Sequence, residues 1–388
     1  MRFVKWFLIA CAGLLVVAYA LTKPLGDFVE YWVAAHLLFA GKNPYAFAES
    51  LHLERALGWS KALPIVALNP PWALSLIAPL GTFRWYAAGW IVWLSIMVFA
   101  VWWTTKLLLG LYSNGKRLFP AETAASERIL AFTFYPTILC LGTAQITPFV
   151  LLGVTGFLCL VTRKRYGLAG ACLALASIKP HLVYLLWFAL VLWCWRERKW
   201  KPLVSLALVV GGALGIAVIM RPSIVRDYLQ FSQSGYVKIW PSALGAILRF
   251  PFNSVKSFPL QFVAPALGMI WFAFYWRRHR RGWDWKQETP MLLTVSVLTA
   301  AYGWTLDEIV LLVPIVAIAA RYVQKEGSVP RSVVWVYTAV NVLLILGSLK
   351  GPAVAYVVAP IAMGAILALS RKKERDPGML ADMSGAVE

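Results

Sequence analysis

The chain is expected to be an all-α polytopic membrane protein, on three observations. Sixty per cent of its 388 residues are hydrophobic, and the mean hydropathy is +0.69. Only 14% are charged, against roughly 25% in an ordinary soluble domain. Most of the 37 Lys and Arg fall in short clusters between apolar runs: RKR at 163–165, RERKWK at 196–201, RRHRR at 277–281 and RKKER at 371–375. That placement is the positive-inside pattern, so the formal charge of +20 reads as orientation in a bilayer rather than as a stripe for nucleic acid. Cys11, Cys140, Cys159, Cys172 and Cys194 lie inside apolar runs without CxxC spacing, which speaks against a zinc site or a disulfide frame.

Hydropathy and the basic clusters together predict about twelve crossings, near 4–22, 85–109, 127–142, 145–162, 166–178, 181–195, 202–220, 257–276, 288–303, 305–320, 332–349 and 353–370. Several are shorter than the roughly 20 residues of a straight span. At the start, Arg2, Lys5, an apolar stretch and Ala18-Tyr19-Ala20 imitate a signal peptide. The run from Val4 to Thr22 is nevertheless long enough to span and is read as an anchor.

An even number of crossings puts both termini on one side. About 25 Lys and Arg share that side and about 12 lie opposite, so both termini are expected in the cytoplasm. Two sizeable segments then remain outside, residues 23–84 and 221–256. Within the first, PPWALSLIAPLGTF at 70–83 is too short to cross and holds three prolines; it is expected to be a half-helix or surface segment. Residues 1–375 form a single transmembrane domain on this reading. Residues 376–388, opening with Asp376-Pro377-Gly378 and lacking a helical apolar stripe, are expected to be a disordered cytoplasmic tail.

The outer segments carry the candidate chemistry. Asp27 follows the first predicted crossing by about five residues, which holds a carboxylate at the membrane surface, where desolvation raises its pKa toward that of a general base. The spacing Asp27-x-x-Glu30 also has the form of a helix cap with its reciprocal partner; the two roles are compatible. Asp307 and Glu308 enter an apolar run from its outer end, a costly placement unless they face a cavity or a partner, with helix capping as the alternative. Lys179 and His181 flank Pro180 where there is no room for a loop, and a cation fixed there suits a phosphate; the alternative is a lysine snorkelling to the interface. Asn69 and Gln145 stand at outer helix ends and suit sugar hydroxyls or turn formation. The segment from 221 interleaves Arg221, Arg226 and Lys238 with Tyr228, Phe231, Tyr236 and Trp240, a composition fit equally for sugar stacking and for an interfacial belt. No metal-ligand cluster is visible.

The stretches GDFVEYWVAAHLLFAGKNPYAF, NPPWALSLIAPLG, GTAQITPFVLLG, LAGACLALASIKPHLVYLL and GWTLDEIVLLVPIVA resemble, in this order over roughly residues 20–320, the glycosyltransferase 87 family. That family has the GT-C membrane fold and includes polyprenyl-phosphate-mannose-dependent mannosyltransferases. The resemblance implies transfer of a sugar, mannose in the family's mannosyltransferases, from a polyprenyl-phosphate donor to a glycan or glycolipid hydroxyl on the extracytoplasmic face, with inversion and without a cofactor. It implies Asp27 as the base; Lys179, His181, Arg221 and Arg226 are candidates for the donor phosphate. Glu30, Tyr31, Asn69, Gln145, Asp307 and Glu308 are candidates for sugar or acceptor. His181 stands where Gln is common, Asn69 where Tyr is frequent, and GTAQ lacks the family's fuller Gly-Gln-x-Asn form. The competing class is a secondary transporter or flippase, which the isolated charges also fit. Charged groups at outer helix ends and the lack of a two-halves repeat argue against it.

Overall fold

A computed structural model of the chain describes residues 26–114, 118, 126–238, 243–252, 255–350 and 352–375. The expected first crossing at 4–22 and the expected tail at 376–388 lie outside these residues. All regular structure among the described residues is helical. In chain order the helices are α1 (Phe28–Phe39), α2 (Phe47–Ala56), α3 (Pro71–Ile77), α4 (Tyr86–Tyr112), α5 (Ser126–Thr133), α6 (Tyr135–Gly142), α7 (Thr147–Val161), α8 (Tyr166–Ala176) and α9 (Tyr184–Glu197). They continue as α10 (Lys201–Met220), α11 (Ile224–Ser232), α12 (Leu244–Arg249), α13 (Val263–His279), α14 (Trp285–Leu298), α15 (Leu312–Glu326), α16 (Arg331–Lys350) and α17 (Pro352–Arg375). Short 3-10 turns at Ala78–Thr82, Pro180–Val183 and Thr305–Leu311 lead out of α3, into α9 and into α15.

Among the described residues, four stretches are long and apolar enough to cross a membrane: Tyr86–Tyr112, Lys201–Met220, Lys256–Gly282 and Arg331–Leu349. The predicted crossing at 353–370 falls on the 24-residue helix α17; the other predicted crossings that are described fall on shorter or broken helices, and the breaks have causes. The run at 127–142 is two helices, because Pro136 in the first turn of α6 has no N–H to offer the preceding turn. Phe134 is extended there, and the Tyr135 N–H is satisfied instead by Asn341 Oδ1 at 2.6 Å. The run from 305 begins as the tighter turn Thr305–Leu311 and becomes α15 only at Leu312. The apolar stretch at 70–83 is α3 and its 3-10 extension, with Pro71 in the first turn, where the missing N–H costs nothing.

Small residues set the closest helix contacts. Gly153 and Gly156 of α7 face α8 at Cys172 and Ala176, and a Cβ on Gly170 would collide with the carbonyl of Pro202 in α10. Without a hydrophobic force between helices in lipid, such close backbone approach supplies the dispersion contact that holds them. Helices α7, α8, α9 and α10 therefore run back and forth side by side. One set of their connecting turns, at 143–146, 177–183 and 221–223, lies at one end of the bundle. The other set, at 162–165 and 198–200, lies at the opposite end.

Candidate active site

At the first end of the bundle the start of α1, the segments at 65–72, 178–181 and 302–306, Gln145 and the short helix α11 line a cavity of about 560 Å³, inside the size range of small-molecule sites. Asp27, Glu30, Asn69, Gln145, Lys179 and His181 line it, with Trp72, Tyr228, Phe231, Ser232, Tyr236, Tyr302 and Trp304 among the other walls.

Asp27 is positioned by the turn between α6 and α7. There Ala144 takes a left-handed conformation, φ 53°, a strained state for a residue with a Cβ. Surrounding contacts hold it: Trp93 Nε1 donates to the Ala144 carbonyl at 2.8 Å, and the Phe28 N–H donates to the Thr143 carbonyl at 3.2 Å. The second contact ties the start of α1 to this turn. Gln145 then projects at Asp27, and its Nε2 donates to Asp27 Oδ2 at 2.9 Å. The amide cannot rotate freely, because its Oε1 accepts from the Tyr31 hydroxyl and from the Ile146 N–H at 2.9 Å. Asp27 makes no side-chain cap to its own helix, so its carboxylate is oriented by Gln145 and not spent on capping. Tyr31 is fully buried; it supports the site from behind instead of lining it.

The second cluster forms around Lys179. Pro180 disfavours the helical conformation at the residue before it, so α8 stops at Ala176 and Lys179 adopts φ −129°, ψ 71°. Its Nζ reaches Asp307 Oδ1 at 2.7 Å. Thr147 Oγ1 donates to the same oxygen at 2.8 Å, and the Trp304 N–H donates to Oδ2 at 3.2 Å. Asp307 is thus a fully buried anchor rather than a cavity wall. Glu308 is also fully buried, with no hydrogen-bond partner for either carboxyl oxygen among the described residues.

Two expected phosphate ligands lie elsewhere. Arg221 bonds Asp227 Oδ2 at 2.5 Å and the Gly41 carbonyl at 2.7 Å, and Arg226 is exposed on the outer side of α11; neither lines the cavity. The physical reason is helical register: Ile224, Asp227 and Phe231 form the buried face of α11, which leaves position 226 outward. Of the aromatics in that segment, Tyr228, Phe231 and Tyr236 do line the cavity while packing on Tyr45 and Phe47. Trp240 lies outside the described residues. Trp72, Tyr302 and Trp304 were not singled out from the sequence. The available signal was their place beside Asn69 and Asp307 in short polar-edged turns.

Residues 67–299, well over half of the chain, match Glycosyltransferase family 87. The chain belongs to glycosyltransferase family 87. As a family 87 member it is a glycosyltransferase with a sugar donor and an acceptor. The family match includes Asn69, Gln145, Lys179 and His181, whereas Asp27 and Asp307 lie on either side of it. No curated protein and no solved structure matches this chain significantly.

The electrostatics of this glycosyltransferase cavity favour proton chemistry. Burial raises the Asp27 carboxyl above its ordinary value of 3.8, opposed by the Lys179 charge and the Gln145 hydrogen bond. Glu30, one turn along α1, is pushed up to about 8, first by burial and then by the Asp27 charge. Burial thus moves both neighbouring carboxyls toward the proton-transfer range, and the Asp27 charge further favours the neutral form of Glu30. Among the described residues no three His, Cys, Asp or Glu side chains converge as a metal site.

Proposed function

We propose that this glycosyltransferase moves a sugar, mannose on the sequence resemblance, from a polyprenyl-phosphate donor to an acceptor hydroxyl, with inversion. Asp27 takes the acceptor's proton as the acceptor oxygen bonds the anomeric carbon. The bond from that carbon to the phosphate oxygen breaks, and the lipid phosphate leaves with the electron pair. Lys179 retains two N–H groups beyond the one given to Asp307 and, with His181, faces the departing phosphate. Glu30 and Asn69 contact sugar or acceptor. Gln145 and Tyr31 keep Asp27 aimed, and Asp307 keeps Lys179 charged and fixed.

The observation that carries this reading is the cavity itself. A carboxylate locked by a triangulated amide and a lysine locked by a buried carboxylate line the same 560 Å³ space. In this reading the bundle has about twelve crossings in a GT-C arrangement, residues 1–375 act as one domain, both termini are cytoplasmic, and the cavity opens on the extracytoplasmic face. A lipid-borne donor explains why the site sits among short helices at a membrane surface.

The test is transfer of radiolabelled mannose from polyprenyl-phosphate-mannose in membranes holding the wild type or Asp27→Asn. Asn keeps an oxygen to accept from Gln145, so the fold is retained. Loss of about 10²–10⁴ in rate is the expected size for a general base. Full transfer by the folded variant would remove Asp27 from the mechanism, and inactivity of both proteins would redirect the search to other lipid-linked sugars.

A further inference from the structure

The end of the bundle opposite the cavity carries a feature the transfer reaction does not use. Arg163, Lys164 and Arg165 follow α7; Arg196, Arg198, Lys199 and Lys201 join α9 to α10; Arg277, Arg278, Arg280 and Arg281 close α13. These three clusters are distant in sequence, and aromatic contacts unite them. Tyr166 packs on Trp193 with ring centroids 5.7 Å apart, and Lys199 lies over both rings at 5.3 and 5.2 Å. Trp193 meets Trp285 at 5.6 Å, Trp285 meets Trp283 at 5.5 Å, and Trp283 meets Trp276 at 4.7 Å, next to Arg277.

The result is an array of eleven cations on one aromatic floor, all but Lys199 exposed. Among the described residues, the acids nearby do not compensate it. Glu197 reaches Arg196 at 3.9 Å and Lys199 at 3.6 Å. Asp284 caps α14 by accepting from the Lys286 N–H at 2.8 Å, and Glu288 is buried and bonded to the Tyr275 hydroxyl. Among the described residues the array keeps an excess of cations, which suits anions from outside the chain.

Its depth says which anions. Trp195 and Trp200, 70% and 49% exposed, bracket the second cluster at the end of the lipid-facing helix α10, of whose most apolar window only 6% is buried. Indole rings settle at the headgroup level of a bilayer, which places these guanidinium and ammonium groups beside lipid phosphates. We infer that this end of the protein is a binding surface for anionic phospholipid headgroups, formed jointly by the 163–165, 196–201 and 277–281 clusters. Nucleic acid fits the charge but not the aromatic collar or the lipid-facing flank. This inference does not depend on the identity of the sugar or on Asp27.

The experiment uses the full chain in lipid nanodiscs containing phosphatidylcholine and phosphatidylglycerol in equal parts. Native mass spectrometry then counts the lipids that remain bound on release. The wild type should retain phosphatidylglycerol over phosphatidylcholine, and each engaged cation should weight that preference by about fivefold at low salt. The preference should fall as salt shortens the screening length, and excess inorganic phosphate should displace little of it. A variant with Arg277, Arg278, Arg280 and Arg281 changed to Gln should lose most of the preference. A control with Lys61→Gln and Arg84→Gln at the other end should keep it. Equal retention of the two lipids by the wild type would overturn the inference, as would displacement by free phosphate or an undiminished preference in the quadruple variant. The salt series on the wild type decides the matter if that variant does not fold.

Discussion

Asp307→Asn is the perturbation whose cost can be worked out most directly. Asp307 is fully buried and accepts three donors: Lys179 Nζ at 2.7 Å, Thr147 Oγ1 at 2.8 Å and the Trp304 N–H at 3.2 Å. Asparagine keeps the volume but removes the charge, and its NH₂ must face one of those donors. Breaking a buried ion pair from one side typically costs about 3–5 kcal/mol, because the remaining charge stays desolvated. Lys179, 8% exposed, would be that charge.

The pH dependence has a definite sign. Burial alone lowers the Lys179 value, and the Asp307 charge and hydrogen bond more than reverse it, so it is raised above 10.5. The wild-type pair then contributes its full stability below 10.5 and loses it only as pH climbs through the raised value. In the variant the Asp307 contributions are gone and burial, the largest cause, outweighs the remaining Glu30 charge; the folded state then holds its proton less tightly than the unfolded one, so stability should increase with pH from neutrality upward. Denaturant unfolding in detergent, followed by tryptophan fluorescence, measures both effects. The double variant with Lys179→Met should be less destabilised than the sum of the two single variants. Additive single effects, or a variant within about 1 kcal/mol of wild type, would refute the buried-pair argument.

Tyr31→Phe deletes the hydroxyl that fixes the Gln145 amide and should slow turnover by about fivefold with little change in KM, the worth of one ordinary hydrogen bond; kinetics at saturating donor check it. The rate of sugar transfer should rise with pH through the raised Asp27 value, and Glu30→Gln should leave that limb in place while abolishing a second transition near 8. Glu30 also binds its proton more tightly when folded, so wild-type stability should decline from about pH 4.5 toward 8, and the Gln variant should lack that slope. Gly170→Ala puts a methyl group against the Pro202 carbonyl and should destabilise the bundle by about 1–3 kcal/mol, read as a lower unfolding midpoint.

Sequence alone determined the solvent, the secondary-structure class and several of the polar residues that line the cavity. Long apolar runs leave no choice but helices in lipid, and Asp27, Asn69, Gln145 and Lys179 stood out because polar groups at the ends of apolar runs are costly without a purpose. Proline positions foretold the short helix at 70–83, because the missing N–H acts locally. Partnership was beyond its reach. Asp27 with Gln145 spans 118 positions and Lys179 with Asp307 spans 128, and nothing in the intervening chain encodes which donor meets which acceptor. The same limit made Arg221 look like a phosphate ligand, although its partner is Asp227 on the next helix turn. For Asp307 the sequence left a cavity, a partner or a helix cap open, and packing supplies the partner Lys179 and the cap on the Trp304 N–H. Only packing decides these roles, because a side chain's chemistry depends on what the fold brings within about 3 Å of it.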